Sequence, residues 1–563
     1  MKTTTKRIIS GILTIIVIFS MIPVSVFCVS AETTVSGTCG ENAKWSYDKN
    51  TATLSIFGSG AILDYSNKYG RTTAPWKDFS DVIKFVKVDK GITRIGDSAF
   101  TNCQSIIELI IPNSVIEVGK DSISYCGELT SITIPGGVKS IGNSAFAGCS
   151  KLKSVFFALG VESIGSCAFQ DCVKLSEITM PDSLLFVYDY AFSNCGNLKK
   201  LIVAEGSKSI TSSMIVCNDQ LEEIVIPNSV RTIDNGAFFG CKKLAYNTYD
   251  NAKYIGNKNN PYYILLEATS KEIVNCDINN ETRIIYGDAF NNCTKLLDIV
   301  IPDNVMSIGC YAFSGCKKLA YNIYDNAKYI GSKNNPYCVL LEATSSEIVS
   351  CDINTETRII CDYAFANCTQ LTEINIPKSV INLNAYSFIN CSNLASINVA
   401  YDNSIYHSVD NCLIETDAKA LVVGCKTSVI PTGGSVTSIR KWAFAYCNDL
   451  STIVIPKDID YIYNFAFVGC VDIESVIIQD GVKIIGHYAF WNCDKLQNII
   501  IPDSVTAIGN GVFDHFDGTI WIEHDFPPIR YIGGHNSNPL AVQNENLTIY
   551  LNKKLTKFLI IFS

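Results

Sequence analysis

A Phe, usually preceded by Ala and followed three residues later by Cys, recurs down this chain in one register, and no other feature limits its fold as much. The pairs are Phe100/Cys103, Phe146/Cys149, Phe169/Cys172, Phe192/Cys195, Phe238/Cys241, Phe290/Cys293, Phe313/Cys316, Phe365/Cys368, Phe388/Cys391, Phe444/Cys447, Phe467/Cys470 and Phe490/Cys493. Ile123/Cys126 and Met214/Cys217 fill two gaps with another apolar residue at the Phe place, and Phe513 ends the series without its Cys. The commonest step between Phe positions is 23 residues. A chain of 563 residues would ordinarily divide into several domains, but a repeat at fixed period builds one continuous core instead.

One full unit runs from Leu129 to Cys149. Ile132 and Ile134 lie two apart, the strand period, so both face one way while Ser131 and Thr133 face the other. Pro135 has no N–H to donate and ends the ladder. Val138 and Ile141 turn inward on the next side, and Ser144-Ala145-Phe146 predicts a short helical or 3-10 stretch. One unit cannot bury its apolar side alone, whereas stacked copies cover one another. The expected architecture is an α/β solenoid, with a parallel β-sheet on one face and short helical or 3-10 segments opposite. It spans 91–513, closed by a β-rich N-terminal cap over 32–90 and by a C-terminal cap and tail over 514–563. Such caps are needed because an open edge would pair with another molecule. Longer coils occupy 244–289, 319–364 and 394–443. The first two are near-duplicates: Tyr249-Asp250-Asn251-Ala252-Lys253-Tyr254 matches Tyr324-Asp325-Asn326-Ala327-Lys328-Tyr329 at an offset of 75. Their Asp-Asn and Asn-Pro turn signals predict an added β-hairpin.

Lys2, Lys6 and Arg7 precede an apolar stretch, Ile8 to Val26, and the small residues of Val29-Ser30-Ala31 follow. That order predicts a secretory signal peptide over 1–31, cut after Ala31. Phe27 is too large for the small residue that a lipoprotein signal places before its Cys. The expected location is secreted or at the cell surface. The apolar run Phe558 to Phe562 is far shorter than the about 20 residues a membrane span needs, so no transmembrane span is expected in the mature chain. Removing the three basic residues takes the formal charge from −9 to −12. An acidic chain disfavours nucleic acid and anionic membrane as partners.

Of the 24 cysteines, fourteen fall at the same repeat position. Stacking places them in one core-facing column, where a thiol acts as a small hydrophobe. Neighbouring coils lie close enough for occasional disulfides, so pairing stays open. Cys276/Cys351 and Cys310/Cys361 lie off the column. None of these pairs has the close spacing of a metal site, and neither metal nor cofactor is expected. The five histidines (His407, His487, His515, His524, His535) are scattered, and no nucleophile elbow or phosphate loop occurs, so the chain is not expected to be an enzyme.

Function is therefore sought at outward strand positions, which form two rows. One carries Glu108, Glu177, Glu223, Asp298 and Glu373, broken by Ser131, Ser154 and Lys200. The other carries Ile110, Phe156, Ile202, Val225 and Val300 among threonines, with Ile477 and Ile500 further on. A continuous exposed apolar row marks a binding surface. Like charges on neighbouring strands cost stability, which points to a cationic partner. An equally weighted alternative is that β-branched residues simply suit strands and the acids keep the face soluble.

The unit L-x-x-I-x-I-P-x-x-V-x-x-I-G-x-x-A-F-x-x-C resembles the BspA-like, or Treponema-type, leucine-rich-repeat family of bacterial surface proteins. The likeness runs from about Ile92 to Phe513, and its Ile-Pro step stands at Ile111-Pro112, Ile134-Pro135, Ile226-Pro227, Ile301-Pro302, Ile376-Pro377, Ile455-Pro456 and Ile501-Pro502. The resemblance implies a leucine-rich-repeat solenoid and an exported adhesin or scaffold that binds proteins or host surfaces. The expected partner is an extracellular protein or glycan, and the chain is expected to be a monomer. It supplies no site residue, because the motif is all framework. A structural matrix component without a discrete ligand is the alternative.

Overall fold

The computed structural model describes residues 33–513 except Tyr69, Ser212, Thr506 and Asn510, together with 519–522, 530–532 and 548–551. The expected signal peptide and most of the expected C-terminal cap lie outside the described residues. Most coils contribute one strand to each of two parallel ladders. In the outward-facing ladder, Ser131–Ile134 pairs with Ser154–Phe157 with every residue opposite its counterpart one repeat on. The burial alternates as the sequence requires, with Ile132 and Ile134 inside and Ser131 and Thr133 exposed. The second ladder follows the Pro turn, where Ser140-Ile141 pairs with Ser163-Ile164 and that with Phe186-Val187.

The helical or 3-10 segments expected opposite the sheet are almost wholly missing. Among the described residues the only helices are two short 3-10 turns, Lys77–Phe79 in the N-terminal cap and Ala385–Phe388 at one Phe position. The Phe turn is instead bracketed by left-handed residues, as at Ser98 (φ 52°) and Asn102 (φ 57°), or Tyr363 (φ 63°) and Asn367 (φ 61°). Left-handed backbone costs an L-residue about 1–2 kcal/mol and cannot propagate a helix. Inter-coil hydrogen bonds offset that cost. The N–H groups of Ser98, Phe100 and Asn102 donate to the carbonyls of Lys120, Ser122 and Ser124 in the next coil, at 2.8, 2.7 and 2.8 Å.

Inside this turn the Phe rings stack, with Phe146–Phe169 at 5.0 Å and 3° and Phe169–Phe192 at 5.4 Å and 9°. The Cys column does more than fill space. Where a Phe turn precedes it, the thiol faces the carbonyl of that turn's Phe position: Cys149 Sγ to Ile123 O at 3.2 Å, Cys172 Sγ to Phe146 O at 3.3 Å, Cys470 Sγ to Phe444 O at 2.9 Å. After a long coil it faces another carbonyl, as Cys447 Sγ faces Gly424 O at 3.6 Å. This corrects one assignment. Ile215, not Met214, holds the Phe place, and Asn218 stands in the Cys column. Asn218 Nδ2 donates to Phe192 O at 2.9 Å and to Ile215 O at 2.7 Å, while its Oδ1 accepts from Cys195 N–H at 2.8 Å. Cys217 is displaced to an exposed left-handed position, φ 61°. The described cysteines are all free thiols.

Residues Thr34–Ala61 form a three-stranded antiparallel meander whose last strand starts both parallel ladders. The first Phe turn has no preceding coil, so its carbonyls need other donors. Tyr65 N–H donates to Asp97 O at 2.8 Å, and the buried Trp76 donates through Nε1 to Ala99 O at 2.9 Å while stacking on Phe100.

The three long coils carry hairpins: Asn247–Tyr249 with Ala252–Ile255, Asn322–Tyr324 with Ala327–Ile330, and Tyr406–Val409 with Cys412–Glu415. The Asp-Asn turns of the first two cap the edge of the next outward strand. Asp250 accepts from Asp277 N–H and Asn251 donates to Asn275 O, both at 2.8 Å; Asp325 and Asn326 repeat this at Asp352 and Ser350 at the same distances. These coils have no Phe turn, so the flanking turns meet directly, with Phe238–Tyr286 at 5.3 Å, Tyr311–Tyr363 at 4.9 Å and Tyr386–Trp442 at 5.6 Å. Each long coil is thus a wedge that bends the stack toward its turn side. The bending brings Tyr188 Oη within 3.4 Å of Tyr461 Oη.

Two outcomes follow from the Cys column. Asn218→Cys should leave stability within about 1 kcal/mol, whereas Asn218→Ala should cost about 1–3 kcal/mol by orphaning buried groups, measured by guanidinium unfolding. Alkylation of the native chain with iodoacetamide should modify the exposed Cys217 first among the described thiols. Column members such as Cys103, Cys195 and Cys493, which burial pushes up to about 12, should react only after unfolding.

Candidate functional surface

The outward strand positions do not form the two continuous rows that the spacing suggests. Phe156, Glu177, Ile202, Glu223 and Val225 lie on one five-stranded sheet running from Ser131–Ile134 to Glu223–Val225. Glu108 and Ile110 continue that face on the strand paired with Phe85–Val88. The first hairpin ends the sheet there. Asp298 and Val300 sit beyond it on a separate pair of strands, opposite Asn275 and Asp277. Glu373 lies beyond the second hairpin, opposite Ser396, with Asn398 Nδ2 donating to its Oε1 at 2.9 Å.

The acidic row is also interrupted electrostatically. Lys200 stands directly between Glu177 and Glu223, and its ammonium lies 2.9 Å from the Glu223 carboxylate. Glu177 faces Ser154 on its other side. No carboxylate of this sheet faces another, so the like-charge cost that pointed to a cationic partner is absent.

The apolar positions remain. Phe156 is 66% exposed and Ile110 48%. Thr133 stands opposite Phe156, while Ile202 and Val225, opposite one another, are half-buried. The contiguous apolar row lies elsewhere, past the third hairpin. Val454, Ile477 and Ile500 are directly opposed on adjacent strands and 42, 48 and 41% exposed. Sequence reasoning noted two of these three but passed over Val454. The signal that would have found it is the period: Val454, Ile477 and Ile500 are successive residues at a step of 23.

The turn side holds a second polar cluster. Where the long coil before it lacks a turn, Cys310 donates through Sγ to Asp362, which also accepts from Asn384 Nδ2. Burial raises the Asp362 carboxyl above its ordinary range, and burial with the facing carboxylate raises the Cys310 thiol. A thiol raised in this way stays protonated and is a poor nucleophile. A depression lined by Phe388, Trp442, Tyr446 and Cys447 holds about 10 Å³, room for one water. Among the described residues, no group of three or more His, Cys, Asp or Glu is placed to hold a metal ion, and no helix is long and apolar enough to cross a membrane.

Comparison with known proteins places this geometry. Solved structures similar to it include a leucine-rich repeat protein from Eubacterium ventriosum, 18% identical, covering 88% of this chain and 96% of that one with a TM-score of 0.27. A leucine rich cell surface protein from Faecalibacterium prausnitzii is 18% identical, with 89% and 96% covered and a TM-score of 0.27. A leucine rich repeat protein from T. pallidum is 20% identical, with 52% and 90% covered and a TM-score of 0.20. No curated protein matches the sequence. The BspA type leucine rich repeat region matches in six copies over residues 79–166, 157–260, 268–345, 341–416 and 418–522, and the chain therefore belongs to the BspA-type leucine-rich-repeat family.

Proposed function

We propose that this chain is a non-catalytic binding scaffold outside the cell, an adhesin-like protein whose outward sheet face takes up a protein ligand. The observation that carries the reading is the row Val454, Ile477 and Ile500, three aliphatic side chains in lateral register and each exposed by two-fifths or more. Exposed apolar groups in contact with one another are costly to hydrate and lose that cost when a partner covers them. The sheet beneath is rigid, since alternate residues of the same strands, Ile453, Val476 and Ile499, are buried. Phe156 and Ile110 offer a second patch of the same chemistry at the other end of the solenoid.

An expected net charge near −12 after export supports a protein partner over nucleic acid. The signal peptide expected over 1–31 and membership of the BspA-type family support an extracellular location. The test is saturable capture of the full chain on immobilised mucin, extracellular-matrix proteins and plant polysaccharide. Ile477→Asp places a charge in the middle of the row without altering the core, and should weaken protein capture about tenfold or more. Capture by polysaccharide alone, or capture unchanged by Ile477→Asp and by Phe156→Asp, would overturn the sheet-face reading.

A further inference from the structure

Each of the twin long coils opens with a strand that no neighbour covers. Asn247–Tyr249 and Asn322–Tyr324 stand where the outward sheet would carry its next strand, yet each pairs only with the return strand of its own hairpin. In the first copy Tyr249 faces Ala252 across the two-residue turn, and Asn247 faces Tyr254. Residues flanking such a turn exchange both main-chain hydrogen bonds, and so does the pair two residues on. The residue between them, Thr248 in one copy and Ile323 in the other, therefore directs its N–H and C=O away from the hairpin. Neither residue has a backbone hydrogen bond to any other described segment. All three residues of each strand are solvent-exposed.

The contrast within one hairpin is informative. Its Asp-Asn turn closes the edge of the following strand with side-chain hydrogen bonds, in both copies. The opposite edge is short, three residues, but contains no Pro and no charge. The nearest cations are held against their own hairpin. Lys253 pairs with Glu267 at 2.8 Å and lies 4.7 Å from the Tyr246 ring centre; Lys328 pairs with Glu342 at 2.7 Å and lies 5.0 Å from that of Tyr321. Two half-exposed rings flank each free stretch of main chain, Tyr246 and Tyr249 in one copy and Tyr321 and Tyr324 in the other.

We propose that the edges at Tyr246–Tyr249 and Tyr321–Tyr324 each accept an extended peptide segment of a protein partner as an added β-strand. The outward N–H and C=O of Thr248, or of Ile323, match those of another peptide main chain, and the flanking tyrosines supply side-chain contact area. Two such edges on one chain let a partner with two segments bind with avidity. The inference rests on the protein-binding reading above but not on the sheet face that carries it.

The test pans a phage-displayed library of random peptides against the full chain, then titrates a synthetic copy of the enriched peptide. Two peptides should bind per chain. Thr248→Pro combined with Ile323→Pro removes the two outward N–H groups while leaving the hairpin's own bonds in place. This pair should weaken binding about tenfold or more with an unchanged melting temperature. Hydrogen exchange at Thr248 and Ile323 should slow when peptide is bound. A peptide methylated on alternate backbone nitrogens should lose binding in one phase and keep it in the other. Failure to enrich any peptide, full binding by the proline pair, or equal binding of both methylated peptides would overturn the proposal. Self-association of the chain that the proline pair abolishes would overturn it too, making the edges contacts between copies. Should Ile477→Asp and Phe156→Asp both leave capture intact while peptide still binds the hairpins, the sheet-face reading falls and this one stands.

Discussion

The hydrogen bond from each Phe-turn N–H to the carbonyl of the following coil is the constraint on which the rest of this solenoid depends. It gives the stack a direction: donors point forward and acceptors point back, coil after coil. Two consequences follow. Left-handed residues must bracket the turn so that its N–H groups can aim along the stack. The first turn is left with unpaired carbonyls, which Tyr65 and Trp76 satisfy. The Phe carbonyl takes a second hydrogen bond besides that from its own coil's Cys N–H: Phe146 O accepts from Cys149 N–H and from the Cys172 thiol, both at 3.3 Å. At Phe192 the Asn218 amide supplies the donor and also takes the Cys195 N–H.

The long coils interrupt this scheme without ending it. They keep a strand in the second ladder, Ile264–Ala268 or Val339–Ala343, but omit the Phe turn. The turns on either side then pack aromatic against aromatic, and the stack bends. On the outward side the same coils project hairpins that divide one potential sheet face into separate fields. A ligand surface on this chain is therefore local to one field or to the hairpins, rather than spread along the whole rod.

How much of this could be read from the residues depends on where each partner lies. Strand positions were legible because alternation of Ile132 and Ile134 with Ser131 and Thr133 is a local pattern. The turn was not, because Ser144-Ala145-Phe146 has the composition of a helix while its N–H partners lie 22 residues away. Cys217 misled for a related reason. Treating Cys as the marker shifted that coil by one residue, whereas a step of 23 from Phe192 reaches Ile215. The ten outward residues chosen from spacing do lie on exposed or half-exposed strand positions. Their continuity was overestimated: the turn signals in 244–289 predict a hairpin, but not that it will part Val225 from Val300. The open edges at Thr248 and Ile323 were illegible for the same reason, because edge status is a property of the neighbours.

A column of unpaired thiols also bears on where such a chain can function. Disulfide formation requires a thiolate free to attack, and both requirements are suppressed here. Burial raises the Cys103, Cys195 and Cys493 thiols to about 12, so little thiolate exists there near neutrality. Each sulfur is also aimed at a carbonyl of the preceding coil, as Cys195 Sγ is at Phe169 O at 3.3 Å. Bridging two coils would turn both sulfurs away from those carbonyls. Burial and this aim together disfavour bridging between coils, and a cysteine-rich column is compatible with an oxidising exterior.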